Sequence, residues 1–269
     1  MAVILEGGCC VSQMREGQPF TEGTLRIWNQ IGRATGAQAI SLRIMEFAPG
    51  LSPGIQNGEC DEILYVLDSS WKSPRAGDRQ VSTTCVSGWV NLVIDGRPHE
   101  VDADTGIYLR PGEIFAIDNP GPDSVILISS QCPDPDRVPQ LVVFPAVDST
   151  RPDRSPIVRL ADRPSVTTAD RWYRVLVDDQ VGSTQVTQFV GSVPPGRAPD
   201  HFHNYEEVVL ILKGEGRMWA GDTNTPIGAG SCIYLPKGQV HCVENTGTEE
   251  LRLLGVFYPA GSPSVRYDI

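Results

Sequence analysis

The sequence predicts an all-β protein built as two tandem barrels. Three observations carry this prediction: one sequence unit occurs twice, the apolar runs are short and bounded by turn residues, and no stretch of ten residues has a convincing helical period. The 27 glycines and 22 prolines among 269 residues supply the turns that many short strands need.

The repeat sets the order of the elements. Residues 108–121 align without a gap with residues 234–247, at an offset of 126. Upstream, Glu-Ile-Leu-Tyr-Val-Leu at 62–67 matches Glu-Val-Val-Leu-Ile-Leu at 207–212, at an offset of 145. The first copy therefore carries 19 extra residues, which fall in the polar stretch 68–86 and are expected to form a solvated loop. Strands are expected over 39–47, 62–67, 89–94 and 125–129, with counterparts over 184–193, 207–212, 217–220 and 251–257. Asp95-Gly96 and Gly221-Asp222 lie between such runs, where a tight hairpin favours these residues. Residues 165–171 are the best candidate for a short helix.

These features divide the chain into an N-terminal barrel over residues 1–136, a linker over 137–164 rich in proline and charge, and a C-terminal barrel over 165–269. Within the linker, the apolar run Leu141-Val-Val-Phe144 is expected to pack against one of the barrels.

Charge and cysteine usage bound the function. With 22 basic against 33 acidic residues the net charge is −11, which repels polyanions, so neither nucleic acid nor an anionic membrane is an expected partner. No apolar run approaches the ~18 residues of a membrane span. The seven cysteines include no Cys-x-x-Cys pair and are expected to be reduced, mostly buried thiols in a cytoplasmic protein. A small molecule is the expected ligand, and assembly into a homo-oligomer is left open.

Three of the four histidines, His201, His203 and His241, fall in the second copy. On an extended strand residues 201, 203 and 207 share one face, so His201, His203 and Glu207 would project together while Glu206 points outward as a solvated charge. His241 lies on a later strand, from which it can meet them across a barrel. A lone buried histidine is ordinarily core filling, but three in register with a carboxylate are expected to be ligands of one divalent transition metal: Fe, Mn, Ni, Zn, Cu or Co. Ordinary imidazoles, with a pKa of about 6.5, would release that metal as the pH falls through this region. His99 falls outside the constellation and is expected on an exposed loop. In the first copy the aligned positions are Gln56, Gly58, Glu62 and Phe115, a set that cannot hold a transition metal, so that barrel is expected to serve packing and assembly. Cys60 and Cys242 lie near the presumed mouths, without a free histidine base.

At these residues the sequence resembles the cupin superfamily. His201-Phe-His203-Asn-Tyr-Glu-Glu207 followed by Gly214 matches that family's first motif, although four residues rather than five separate Gly196 from His201. Gly230, Pro236, Gly238, His241 and Asn245 match its second motif throughout. The resemblance implies a bicupin, two jelly-roll barrels in tandem, with His201, His203, Glu207 and His241 as metal ligands. It further implies a metal-dependent enzyme acting on a small polar or anionic organic molecule, with a dioxygenase-like oxidoreductase as the leading reaction. The alternatives are a noncatalytic bicupin that binds a small acid or sugar through its metal, and a hydrolase similar to ureidoglycine aminohydrolases. The ligand order of that last family, Glu-x-His-x3-His ending in Gln, differs from the order here.

Overall fold

The structure is a computed structural model that describes residues 2–67, 89–144, 146–147, 153–168 and 170–265. It is all-β: among the described residues the only helical elements are four single 3-10 turns. The 68–86 insertion lies outside the described residues. Strands occupy the expected places, including Leu42–Phe47, Asp61–Val66, Val90–Ile94 and Val125–Cys132 in the first copy. Their counterparts are Thr187–Val193, Glu206–Lys213, Glu215–Ala220 and Leu251–Tyr258. Both hairpins form. Asp95 and Gly96 turn with φ of 46° and 79° between strands that pair Ile94 with Arg97, the geometry a two-residue hairpin loop requires. The short helix expected at 165–171 does not form. Val166–Thr168 is a strand paired with Arg171–Val177, because a run of β-branched residues packs better on a pleated surface than in a helical turn.

Each barrel is a pair of sheets. The first is made of a seven-stranded and a six-stranded sheet, the second of an eight-stranded and a four-stranded one. The sheets do not respect the boundaries expected from composition. Cys10–Gln13, near the start of the chain, pairs with Ser231–Leu235 in the second barrel's large sheet. Two linker segments join the first barrel instead: Gln140–Val142 pairs with Gly54–Gln56, and Ile157–Arg159 pairs with Thr105–Leu109. Strand edges recruit whatever segment can satisfy their free N–H and C=O groups, and such pairing leaves no local compositional trace. The apolar run at 141–144 thus docks through Leu141 and Val142, leaving Val143 90% exposed.

Three cores result. One fills the first barrel around Phe47, Ile55 and Phe115, and one fills the second around Phe189, Met218 and Phe257. A third lies between the barrels, where Ile44, Tyr65 and Tyr108 of the first meet Leu176, Val208 and Tyr234 of the second. The six described cysteines are all free and buried.

Candidate metal centre

His201 and His241 are brought together by the backbone. They form an isolated antiparallel bridge in which each amide N–H donates to the other's carbonyl, at 3.1 and 2.8 Å. His241 opens the strand His241–Asn245, and the turn before it is closed by Gly238, whose φ of 78° favours glycine. The Gly238 amide also donates to the His203 carbonyl at 2.8 Å, tying both motifs into one unit. The expectation of a single extended strand from 201 to 207 is not met. The chain bends at Asn204 and Tyr205, and the strand carrying the glutamates begins at Glu206. Glu207 nevertheless faces the imidazoles, because that bend returns the chain to the same side.

The ligating atoms of His201, His203 and His241 lie within 4.8 Å of one another, a cluster that can hold a metal ion. Glu207 Oε2 lies 3.4 Å from His203 Nε2 and 4.0 Å from His241 Nε2. Donors about 2.1 Å from one shared ion lie at most about 4.2 Å apart, so the set needs to contract by only about half an ångström. Tautomers are set from outside. Nδ1 of His241 lies 2.8 Å from the Gln239 carbonyl and Nδ1 of His201 lies 3.0 Å from that of Pro199. Carbonyls only accept, so both rings carry the proton on Nδ1 and turn the Nε2 lone pair to the centre. The donor set fits a transition metal.

Burial drives the charges of this cluster away from their ordinary values. His203 is pushed down to about 3, first by burial and then by the neighbouring His241 and His201. His241 is pushed down to about 3 by burial and by His201. Burial alone pushes Glu207 up to about 8. Without a cation, His203 and His241 are thus neutral at neutral pH, while the carboxyl holds its proton.

The centre opens into a cavity of about 120 Å³. Its walls are mainly apolar, with Phe189, Val209, Met218, Leu235, Val243 and Phe257 beside the ligands. Tyr205 stacks on His203 with centroids 4.9 Å apart and a tilt of 11°, and Phe257 lies 5.5 Å from the same ring. Arg171 and Tyr173 enter from the strand Arg171–Val177, of which only Arg171 falls within an expected element, as the end of the short helix, so nothing in the sequence placed them at the site. Val243 lines the cavity as well, two residues after His241 on the same strand. Trp219 bonds to Glu244 under the Arg197 guanidinium, and Gln188 is buried between the barrels.

Two expectations fail here, those for Glu206 and His99. Glu206 is 7% exposed and fully bonded, not solvated. His99 sits half-buried on the strand Arg97–Val101, lining a separate small cavity with Arg110 and Arg154. Burial, and then Arg154, hold its pKa below the usual imidazole value. Cys60 and Cys242 are pushed up by burial to about 12 and about 11, so neither is a thiolate at neutral pH. In the first barrel Glu62 is fully buried and accepts from Arg43, from Ser129 at 2.6 Å and from Gln131 at 3.2 Å. No second cluster of metal-ligating side chains occurs among the described residues.

Two β-barrels in tandem, with a three-histidine centre in the second, define the class as a two-barrel protein of metal-dependent type. The cupin-domain family model matches residues 189–257, which lie within the second barrel and include all four candidate ligands. Two curated relatives match parts of the chain. Auxin-binding protein 1 of Arabidopsis thaliana is 35% identical over 83 residues, covering 27% of this chain and 42% of that protein. An oxalate-binding protein of Thermotoga maritima is 38% identical over 66 residues, covering 24% of this chain and 54% of that protein. The chain thus spans about half the length of each. Among solved structures, a mutant of Bacillus subtilis oxalate decarboxylase superposes with a TM-score of 0.71 at 14% identity, covering 94% of this chain and 78% of that one. The formate complex of Lactobacillus farciminis oxalate decarboxylase gives a TM-score of 0.71 at 13% identity, with coverages of 94% and 87%. At such identities the likeness concerns the fold.

Proposed function

We propose that His201, His203, Glu207 and His241 hold one divalent transition metal, and that the protein is a metal-dependent oxidoreductase of dioxygenase type. Its substrate class is a small organic acid with an apolar body. The observation that carries this is the cavity beside the ligands. Its volume of about 120 Å³ is close to that of the engineered apolar cavity of about 150 Å³ that holds benzene, so it admits one ring or one short branched chain. When bound, the metal supplies a Lewis acid with open positions and, if redox-active, electron exchange with dioxygen.

The chain's own residues do the rest. Three neutral imidazoles and one carboxylate leave a divalent ion with net charge +1, which attracts an anionic head. Arg171 is the one Lys or Arg among the lining residues, and its Nε lies 3.2 Å from Asp170 Oδ1, so its charge is partly matched before any anion arrives. Phe189, Met218, Val243 and Phe257 desolvate the apolar body and exclude water. Beyond the four ligands, Arg171 and Tyr173 are the only ionisable lining groups, so the walls offer no carboxylate or histidine for acid–base work. Insertion of both oxygen atoms of O2 into a substrate needs no external reductant and little proton transfer, which suits such walls. Hydrolysis, as in an aminohydrolase, suits them least, and oxalate has no apolar atoms to match them.

A second reading, noncatalytic metal-anchored binding of a small acid, is favoured by the same lack of acid–base groups and by two relatives named as binding proteins. The free, buried thiols fit a reducing compartment, and we place the protein in the cytoplasm on that ground. Oxygen uptake by metal-loaded protein, screened over small aromatic and branched aliphatic carboxylic acids, tests the proposal. Uptake in proportion to substrate consumed supports the oxidoreductase. Saturable binding of such an acid without uptake overturns it in favour of the binding module, and ammonia release favours the hydrolase.

A further inference from the structure

Glu206 and Glu207 are adjacent and serve opposite sides of one strand. Glu207 faces the imidazoles, whereas Glu206 leaves the second barrel and enters the first. Its carboxylate accepts the amide of Gln38 on Oε1 at 2.8 Å and that of Ala39 on Oε2 at 2.7 Å. The Tyr234 hydroxyl donates a third, short bond to Oε1. Gln38 and Ala39 lie in the first copy, between the turn Arg33–Thr35 and the strand Leu42–Phe47. Tyr234 stands on the neighbouring strand of the second barrel, opposite Val208. The repeat contains the same pair in the first barrel, where Tyr108 donates to Asp61 at 2.7 Å, immediately before Glu62.

The position of this bonded carboxylate matters. Glu206 is the first residue of its strand, after the bend at Asn204 and Tyr205, and strand ends are where pairing opens first. Glu207 is the second residue. Without an anchor, the end that frays would be the end that carries the candidate ligand. Consecutive Cα atoms are held about 3.8 Å apart across a planar peptide, so a fixed Glu206 leaves Glu207 little freedom to tilt.

We propose that Glu206 is a positioning residue for the metal centre, clamping the start of the ligand strand to the first barrel through the Gln38 and Ala39 amides and the Tyr234 hydroxyl. This gives the first barrel, which lacks the histidines, a role in the chemistry of the second. The inference rests on the reading of Glu207 as a ligand.

Cobalt(II) titration of the full-length chain, followed by visible absorption, tests the clamp. Wild type is expected to bind one ion. Glu206→Gln, which replaces one acceptor oxygen with an NH2 group facing a backbone donor, is expected to weaken binding about ten- to a hundredfold and to alter the ligand-field bands. Tyr108→Phe removes the equivalent bond in the first barrel, and is expected to lower the melting temperature while leaving affinity and bands unchanged. Wild-type bands and affinity in Glu206→Gln overturn the clamp alone. A wild type that takes up no cobalt overturns the metal reading and the clamp with it. Should Glu206→Gln fail to fold, Tyr234→Phe, which keeps both backbone donors, is judged by the same spectral criterion.

Discussion

Arg43 Nη2 lies 2.8 Å from Oε1 of Glu62, the glutamate that the repeat aligns with Glu207. Two copies of one unit have thus resolved the same buried carboxylate differently. In the second barrel it faces imidazoles that can share a cation with it. In the first a guanidinium supplies the cation permanently, with side-chain exposures of 6% for Arg43 and 0% for Glu62. Removing one partner of such a pair leaves an uncompensated charge. Arg43→Met is therefore expected to destabilise the fold by about 3–5 kcal/mol, read from urea unfolding at neutral pH. A change below about 1 kcal/mol would show that the pair contributes little.

Metal stoichiometry separates the barrels. His203→Ala removes a candidate ligand whose ring is enclosed by Tyr205 and Phe257, and elemental analysis is expected to find its centre empty. Phe115→Ala, at the position aligned with His241, is expected to retain one ion per chain, provided that the cavity it opens does not unfold the protein. Two ions per wild-type chain would contradict the assignment of Glu62 to Arg43.

The pH dependence of metal uptake belongs to Glu207 more than to the histidines. With His203 and His241 near 3 and Glu207 near 8, metal binding at pH 7 displaces close to one proton, from the carboxyl. Affinity should rise about tenfold per pH unit up to about pH 8 and then level off. Calorimetry in buffers of different ionisation enthalpy reads the proton directly. Release of no proton at pH 7 would mean that Glu207 is already ionised.

The metal-free protein carries the mirror image of this effect. Between pH 4.5 and 6.5 the unfolded chain gains two imidazole protons that the folded state refuses, while the folded state keeps one on Glu207, so stability rises with pH. Above 6.5 only the carboxyl differs: the folded state holds the extra proton, and stability falls by about 2 kcal/mol by pH 8. The melting temperature of metal-free protein should accordingly peak near pH 6.5, and saturating metal should abolish the fall above it. A monotonic profile would count against the buried carboxyl.

The sequence made the double barrel legible because a repeat is a long-range signal written twice in local residues. It made the four candidate ligands legible because histidines are scarce here and their spacing is short. The parity argument put Glu207 on the side of the histidines, where the structure has it 3.4 Å from His203 Nε2, but it assumed a straight strand, whereas the chain bends at Asn204 and Tyr205. What stayed hidden are pairings between distant segments. Nothing in Cys10–Gln13 indicates that it crosses to Ser231–Leu235, and nothing near Glu206 indicates that its partners lie at Gln38 and Ala39. Such contacts depend on how two barrels dock, and docking is set by an apolar surface with no period of its own.

Val243 offers a way to separate substrate from metal. It stands two residues after His241 on the strand His241–Asn245, so both side chains point to the same face, and both line the cavity. A larger apolar side chain there grows into existing empty space, not into packed neighbours, so the usual overpacking cost of about 1–3 kcal/mol should be largely avoided. Val243→Phe is therefore expected to keep the melting temperature close to that of wild type and to keep one metal per chain, because none of the four candidate ligands is touched. The cavity of about 120 Å³ would lose much of its volume, and ring-sized acids should bind at least tenfold more weakly, with oxygen uptake falling in parallel. Unchanged uptake with a ring-sized acid in this variant would place the substrate elsewhere than in the apolar cavity.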